Sequence, residues 1–383
     1  DLYETCNVQE WGTKLREQVQ RSIRHGLSEA ENGRVMYSGG SDSRAILSLI
    51  PRDFPCTPAT VLEGGPEHRE YELARRSAEL MGRKLEWVPR PEGFYATQVE
   101  ERIDTIGPGS DFRHTHIFGS VAKKFEDVEV VFGGFLSDTH FKELWMSNVK
   151  NGTLVRPNPD IISQPSFREG RFALLSMWNE LVQIDSNRRE SHHERLKTIR
   201  PTTAGNWHSK YPLSNQPHYA HYLINLRMEA KLIEPFACST LYRLAARIPD
   251  TCRIESRAFR HAFAKGMGRA GYIMTSSGSV PRLSNGGLTG ALAETAARYI
   301  RGWPTIKRKL FTGDAVSQGS WPPDHSGWNP VAPENHFDKE KQQLFKEQLN
   351  SILADGQAHQ FLTGSSTPDG MRVRSLALGF DVS

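Results

Sequence analysis

Residues 38–43 read Ser-Gly-Gly-Ser-Asp-Ser, and they sit between two kinds of periodicity. Before them runs the short apolar stretch Arg34-Val35-Met36-Tyr37, and after them Ala45, Ile46, Leu47 and Leu49 continue helically as far as Pro51. A strand that turns through glycines into a helix is a cradle for an anion such as phosphate. Gly39 and Gly40 let the backbone curl and bring its amides close to an oxyanion, and the helix presents its positive end. Ser38, Ser41 and Ser43 add hydroxyl donors. Asp42 would repel that anion unless a divalent cation such as Mg²⁺ bridges carboxylate and phosphate. The plainer alternative is a Ser/Gly turn with Asp as a helix cap; its place after the first strand of a βαβ series favours the cradle. No GxxxxGK[ST] motif occurs, so this is not a Walker loop.

The elements around the loop repeat one theme. A first helix is predicted over 11–27, with Trp11, Leu15, Val19 and Ile23 on one face, and Asn32-Gly33 ends it. After the loop, residues 57–62 read as a second strand ending at Gly64-Gly65-Pro66. Residues 70–82 follow as a helix with Tyr71, Ala74, Ala78 and Met81 on one stripe, and 84–88 as a third strand. A helical region over 115–125 precedes a fourth strand, 128–132, which runs into Gly133-Gly134. Alternating strands and helices predict an α/β fold, a Rossmann-like parallel sheet with helices on both faces, plus a mostly helical C-terminal part. In such sheets ligands bind at the carboxyl ends of strands, where both glycine turns fall.

Beyond this core, residues 1–144, the pattern loosens. Pro157, Pro159, Pro165 and the polar stretch 184–201 predict an irregular insertion or lid over 145–218. Residues 219–300 form a helical part, with helices over 219–248 and 256–264 and a Ser/Gly-rich loop over 275–290. A proline-broken extension, 301–383, holds one further helix over 339–352.

Bulk properties narrow the partners. Lys and Arg number 48 against 44 Asp and Glu, a mild excess that reads as a solvated surface and makes nucleic acid an unfavoured partner. No run of about 18 apolar residues occurs, so no membrane span is expected. The first residues carry no basic-then-apolar leader, and the chain does not begin with Met. Cys6, Cys56, Cys238 and Cys252 are scattered without a CxxC pair, which predicts neither a zinc site nor a disulfide framework and suggests a reducing, cytoplasmic setting. His114/His116 and His192/His193 lack matching ligands for a metal.

The loop resembles the SGGxDS signature of the PP-loop ATP pyrophosphatases, and residues 11–278 resemble the synthetase domain of asparagine synthetase and its relatives. Glu70, Ala74, Ala78 and Gly82 look like the E…A…A…G helix of that family. Residues 130–138, Val-Val-Phe-Gly-Gly-Phe-Leu-Ser-Asp, are similar to its VVLSGEGSD stretch; Glu234-Pro235-Phe236 and 241–249 resemble its PFLD…L…LP segment, and 257–262 its K-LLR-A segment. The resemblance implies a PP-loop fold with ATP and Mg²⁺ as cofactors. Ser38, Gly39, Gly40, Ser41, Asp42, Ser43, Val61, Gly133 and Gly134 would bind the nucleotide, and Asp42 and Asp138 the metal. Asp42, Asp138, Arg260, Lys265 and Arg282 are the catalytic candidates. The implied enzyme is an AMP- and pyrophosphate-forming C–N ligase, amidotransferase-like, that adenylates a carboxylate (or an amide or ureido oxygen) and passes it to ammonia or another amine.

Departures from the family pattern point away from aspartate, toward a specialised biosynthetic or modifying substrate. Phe135 stands where the family has a Glu implicated in amine handling, and Gly133 where it has Ser. Residues 274–278 lack the late Lys, leaving Arg282, or Lys265 and Arg269, as substitutes, and Cys238-Ser239 replace the Asp of PFLD. Cys6 lies too near the first helix for a glutaminase domain to intervene, so free ammonia, an ammonia-supplying partner or another amine is expected. Two other readings stand beside the ligase: a PP-loop enzyme modifying a nucleobase or RNA, and a degenerate nucleotide-binding protein without turnover.

Overall fold

In the computed structural model the chain is described over residues 7–62, 66, 68–89, 122–143, 149–150, 153–154, 177–199, 231–275 and 278–282, with 343 and 347. It opens with α1 (Val8–Leu27), whose first turn is capped by Asn7 accepting from the Glu10 amide. Trp11, Leu15, Val19 and Ile23 are its buried stripe, as their spacing requires. β1 (Gly33–Met36) leads through the serine-glycine loop into α2 (Ser41–Leu47). β2 (Cys56–Leu62), α3 (Arg69–Leu80) and β3 (Glu86–Pro89) follow. A short 3₁₀ turn, Ala122–Phe125, precedes β4 (Val130–Phe132) and α4 (Ser137–Phe141). A small antiparallel hairpin pairs β5 (Val149–Lys150) with β6 (Thr153–Leu154). Next come α5 (Met177–Ile199), β7 (Lys231–Ile233), α6 (Ser239–Arg247), α7 (Asp250–Arg253) and α8 (Arg257–Phe263).

The chain divides into two compact units, one of Asp1–Arg90, Ser120–Val155 and Met228–Pro323, the other of Pro91–Gly119, Arg156–Arg227 and Asp324–Ser383. The first unit holds a five-stranded sheet in the order β3-β2-β1-β4-β7, with every neighbouring pair parallel. This is the expected α/β, Rossmann-like sheet with its helices. Val35, Ala59, Val130, Val131 and Phe132 are fully buried, which is why these strands read as unbroken apolar runs. Chain order reverses beside β1: β2 pairs on one edge and β4 on the other. Such a switch point opens a crevice at the carboxyl ends of the two central strands.

Two buried guanidinium groups fasten the elements around that crevice. Arg44 of α2, fully buried, donates to the carbonyls of Ala270 (2.9 Å), Ile273 (2.5 Å) and Met274 (3.2 Å). Arg253 of α7, also fully buried, donates to the carbonyls of His140 and Ile248 (both 3.0 Å) and to Asp250 (2.7 Å). His140 of α4 meets the Phe236 carbonyl through Nδ1 at 2.9 Å. Burial pushes its imidazole down to about 4, so the ring is neutral and Nδ1 carries the donated proton. Phe141, Phe236, Phe259 and Phe263 pack beneath in tilted and edge-to-face pairs, with centroids 4.8–6.3 Å apart.

Several expectations need correction. The helix predicted over 219–248 is interrupted: 231–233 is strand β7, then a 3₁₀ turn Pro235–Ala237, and only 239–247 is helical. Three residues ending at Glu-Pro are too short a run for periodicity to reveal, and pairing with β4 makes them a strand. The polar stretch 184–201, expected to be irregular, lies largely in the 23-residue helix α5. It has no clean apolar stripe, but it is rich in good helix formers and carries local pairs such as Asp185–Arg189 at 2.7 Å. Cys252 is disulfide-bonded, contrary to the absence of disulfides read from the scattered cysteines, while Cys56 and Cys238 are free. Of the helices predicted over 115–125 and 339–352, the described residues are the 3₁₀ turn and helical Gln343 and Glu347; the rest lies outside them. Among the described residues no helix is long and apolar enough to cross a membrane.

Candidate active site at the sheet switch point

Gly39 takes a φ of +71°, and a side chain there would run into the Cα of Ala74 on α3. Glycine therefore lets the loop fold back onto α3, whose small Ala74 and Ala78 are fully buried. The Ser38 hydroxyl accepts from the Gly40 amide (3.3 Å), and Ser43 donates back to the Gly40 carbonyl (3.2 Å). These contacts hold the start of α2, whose first-turn amides have no intrahelical acceptors. After β4, Leu136 adopts the left-handed conformation (φ 67°) and starts α4, which carries Asp138. Gly134 of this second turn lies against Asp42, so the two glycine turns meet.

The meeting point is a cluster of charge. Asp42 from α2 and Asp138 from α4 each place an Oδ1 at 2.5 Å from the ammonium of Lys142. The Ser41 hydroxyl accepts from the same ammonium at 3.0 Å, and the ring of Phe259 lies 4.7 Å beneath it. Lys142 is 13% exposed and Asp42 22%, whereas Asp138 is 58% exposed. Burial raises the Asp42 carboxyl above its ordinary range; Lys142 opposes the rise, and the charge of Asp138 adds to it. For Lys142 burial disfavours the ammonium, but the two carboxylates outweigh it and the net shift is upward.

Beside the cluster is a cavity of about 220 Å³. Ser41, Asp138, Lys142 and Arg260 form its polar wall, and Phe259 and Met267 face it from the apolar side. The volume lies below the range usual for a drug-sized ligand, roughly 300–1,000 Å³. Ser279 closes one side from a tight turn in which the Thr275 and Gly278 amides pair locally.

The structure thus brings together Ser41, Asp42, Gly134, Asp138 and Arg260 from the sequence candidates, with Ser38, Gly39, Gly40 and Ser43 shaping the loop. Others fall elsewhere. Lys265 is exposed in the turn after α8 and does not line the cavity. Arg282 does not line it either: its guanidinium lies 5.1 Å from the Tyr272 ring and donates to the Gly268 carbonyl at 3.3 Å. Val61 is half-buried in β2 opposite Val88, on the far side of β1 from β4.

Two residues at these turns are not among the site candidates of the sequence. Lys142 follows Asp138 by one helical turn, an (i, i+4) pair visible only once α4 is placed. Glu234, at the end of β7, accepts from the Phe135 amide at 2.8 Å. A Cβ on Gly133 would collide with its carboxyl group, so glycine at the head of the second turn makes room for an acid from the next strand. Burial raises that carboxyl to about 8, and the Phe135 amide lowers it only in part.

The donor set suits a divalent cation. Each carboxylate places an Oδ1 2.5 Å from one shared cation position, the one that the Lys142 ammonium occupies. Among the described residues no group of three or more His, Cys, Asp and Glu could hold a metal. A pair of carboxylates completed by substrate phosphates and water is, however, a usual magnesium arrangement. No protein-family model matches the chain, and no curated protein matches it.

Proposed function

We propose that the chain is an ATP-dependent C–N ligase of the PP-loop, asparagine synthetase-like kind, which forms AMP and pyrophosphate while joining a carboxylate to an amine. The observation that carries this reading is the convergence of Asp42 and Asp138, from two strand-to-helix turns 96 positions apart, on one cation position beside a cavity. A carboxylate pair at a sheet switch point, next to serine hydroxyls and a helix start, is what a metal-bound polyphosphate requires.

In this scheme a substrate carboxylate oxygen attacks the α-phosphorus of ATP, and the bond to pyrophosphate breaks. The amine then attacks the acyl carbon, AMP departs with the carboxylate oxygen, and the amine loses a proton. A magnesium ion on Asp42 and Asp138 would neutralise charge on the phosphate oxygens. The loop of residues 38–43 orients the departing pyrophosphate, Arg260 attracts anionic substrate groups into the cavity, and Phe259 and Met267 exclude water from the acyl group. Lys142 and Arg260, rather than Lys265 or Arg282, supply cations at the cavity, standing in for the late Lys that residues 274–278 lack.

The substrates are small carboxylates and amines, with ammonia drawn free or from a partner. Use of ATP favours the cytoplasm, while the disulfide at Cys252 bears against a strongly reducing compartment. One observation favours a second reading, nucleotide binding without turnover: an ammonium already fills the cation position. Pyrophosphate release from ATP and Mg²⁺, assayed across pooled carboxylates and amines, separates the two. Release with one pair, lost by about 10²-fold or more in Asp42→Asn, supports the ligase. Binding without release under every pairing supports the second reading, and normal turnover by Asp42→Asn removes Asp42 from the mechanism.

A further inference from the structure

The ammonium of Lys142 is held by side chains throughout: Asp42, Asp138, Ser41 and the face of Phe259. Its stem leaves the chain one residue beyond the end of α4, where the backbone is already extended (φ −123°, ψ −177°). It also lines the cavity, so an open space lies within reach of the same side chain. Two carboxylates against one ammonium leave the cluster one net negative charge, which attracts a further cation and repels a polyphosphate. A divalent cation between Asp42 and Asp138 would balance them fully and place the ammonium beside a like charge. The cavity that Lys142 already lines gives the ammonium a place away from that like charge.

We propose that Lys142 is an exchangeable counterion: it holds Asp42 and Asp138 together in the metal-free protein, and entry of a divalent cation moves its ammonium into the cavity, where it contacts the anionic substrate. The exchange turns a net-negative cluster into a net-positive one, so the attraction that Arg260 offers a polyphosphate is reinforced once the metal is in place. This rests on the divalent-cation part of the reading above and adds to it the exchange of Lys142 and an order of binding.

The test uses two probes whose responses have opposite signs. Lys142→Met keeps the apolar stem and removes the charge. Free Mn²⁺ measured by electron paramagnetic resonance, without nucleotide, is expected to show about tenfold tighter binding or more in the variant than in the unmodified chain, because the competitor is gone. Magnesium pyrophosphate, titrated calorimetrically, is expected to bind about tenfold more weakly or worse, because the contacting cation is gone. Weakening of both, or pyrophosphate binding left unchanged, overturns the proposal. Should the unmodified chain bind no magnesium pyrophosphate at all, the nucleotide reading and the substrate contact fall, while the Mn²⁺ comparison still decides whether Lys142 is the counterion. Should Lys142→Met fail to fold, acetylation of Lys142 in the unmodified chain is followed by mass spectrometry across a Mn²⁺ titration. Faster acetylation with metal supports the exchange, and an unchanged rate overturns it.

Discussion

Arg44, Arg253 and Lys142 of the first unit are enclosed cations held in two different ways. Arg44 and Arg253 are fully buried, and their guanidinium groups end mainly on backbone carbonyls. Lys142 is nearly as enclosed, yet every oxygen that holds it belongs to a side chain, and a cavity adjoins it. Carbonyls fixed by secondary structure cannot move or change charge, so a cation that satisfies them serves the scaffold. Carboxylates at a cavity can exchange one cation for another, so a cation that satisfies them is poised for chemistry. The difference between the two regions lies in what the charge is paired with and not in how deeply it is buried.

The largest effect expected from this contrast is on the scaffold. Arg253→Met removes the donor to the His140 and Ile248 carbonyls and takes the guanidinium from Asp250, whose side chain is fully buried. Breaking a buried charge pair from one side costs about 3–5 kcal/mol, which a denaturant titration would show as a large fall in midpoint. Lys142→Met should cost far less when a divalent cation is present, because the carboxylates then keep a partner. Equal losses in the two variants under saturating metal would erase the distinction.

How much of this was legible in the sequence follows the range of the interactions. The serine-glycine loop, Asp138 and four of the five strands of the parallel sheet were readable because each is a local pattern of strand, glycine and helix. The alternation of elements then predicted their common edge of the sheet. β7 was lost because three residues carry no period, and α5 because its helix is written in local charge pairs without a clean apolar face. Arg282 was a plausible site cation by type, but its target, the Gly268 carbonyl, is set by a turn that only the folded chain reveals. Lys142 and Glu234 depend on partners about 100 positions away, such as Asp42 and Phe135. Gly133 read as a missing serine, whereas its meaning is the space it leaves for Glu234.

That space is the next place to press. Gly133→Ala drives a methyl group into the Glu234 carboxyl and is expected to destabilise the chain by about 1–3 kcal/mol, the usual cost of overpacking. Glu234→Ala in the same background should recover most of the loss, giving a coupling energy in a double-mutant cycle. Independent, additive losses would show that the carboxyl is not what the glycine accommodates.

Glu234 and His140 also set a pH signature, with opposite signs. Burial raises Glu234 to about 8, against about 4.3 in an unfolded chain, so its contribution is present at low pH and is lost as pH rises toward 8. Burial lowers His140 to about 4 against about 6.5 unfolded, so its contribution is present above 6.5 and is lost as pH falls toward 4. The two oppose each other between about 4.3 and 6.5, and of the two only Glu234 acts between about 6.5 and 8. Stability in that upper window should fall by on the order of 1 kcal/mol, given the partial exposure of Glu234. Glu234→Gln should flatten it. Denaturant midpoints at a series of pH values decide, and an unchanged slope in the variant would exclude Glu234 as its source.

The smallest expected effect isolates the role of burial. Lys14 and Glu10 on α1 form an (i, i+4) pair at 2.5 Å, the same separation that Lys142 keeps from each carboxylate, but both side chains are about half exposed (47% and 50%). Lys14 also lies 4.9 Å from the Trp11 ring, much as Lys142 lies over Phe259. Water screens this pair more than it screens Lys142 and Asp42, which are 13% and 22% exposed, so Lys14→Ala should cost only about 0.3–0.5 kcal/mol. Most of that should vanish in molar salt, where the screening length falls to about 3 Å. A loss in Lys14→Ala matching that of metal-free Lys142→Met would mean that contact distance alone sets the strength of these pairs, and that enclosure beside the cavity gives Lys142 no special hold on Asp42 and Asp138.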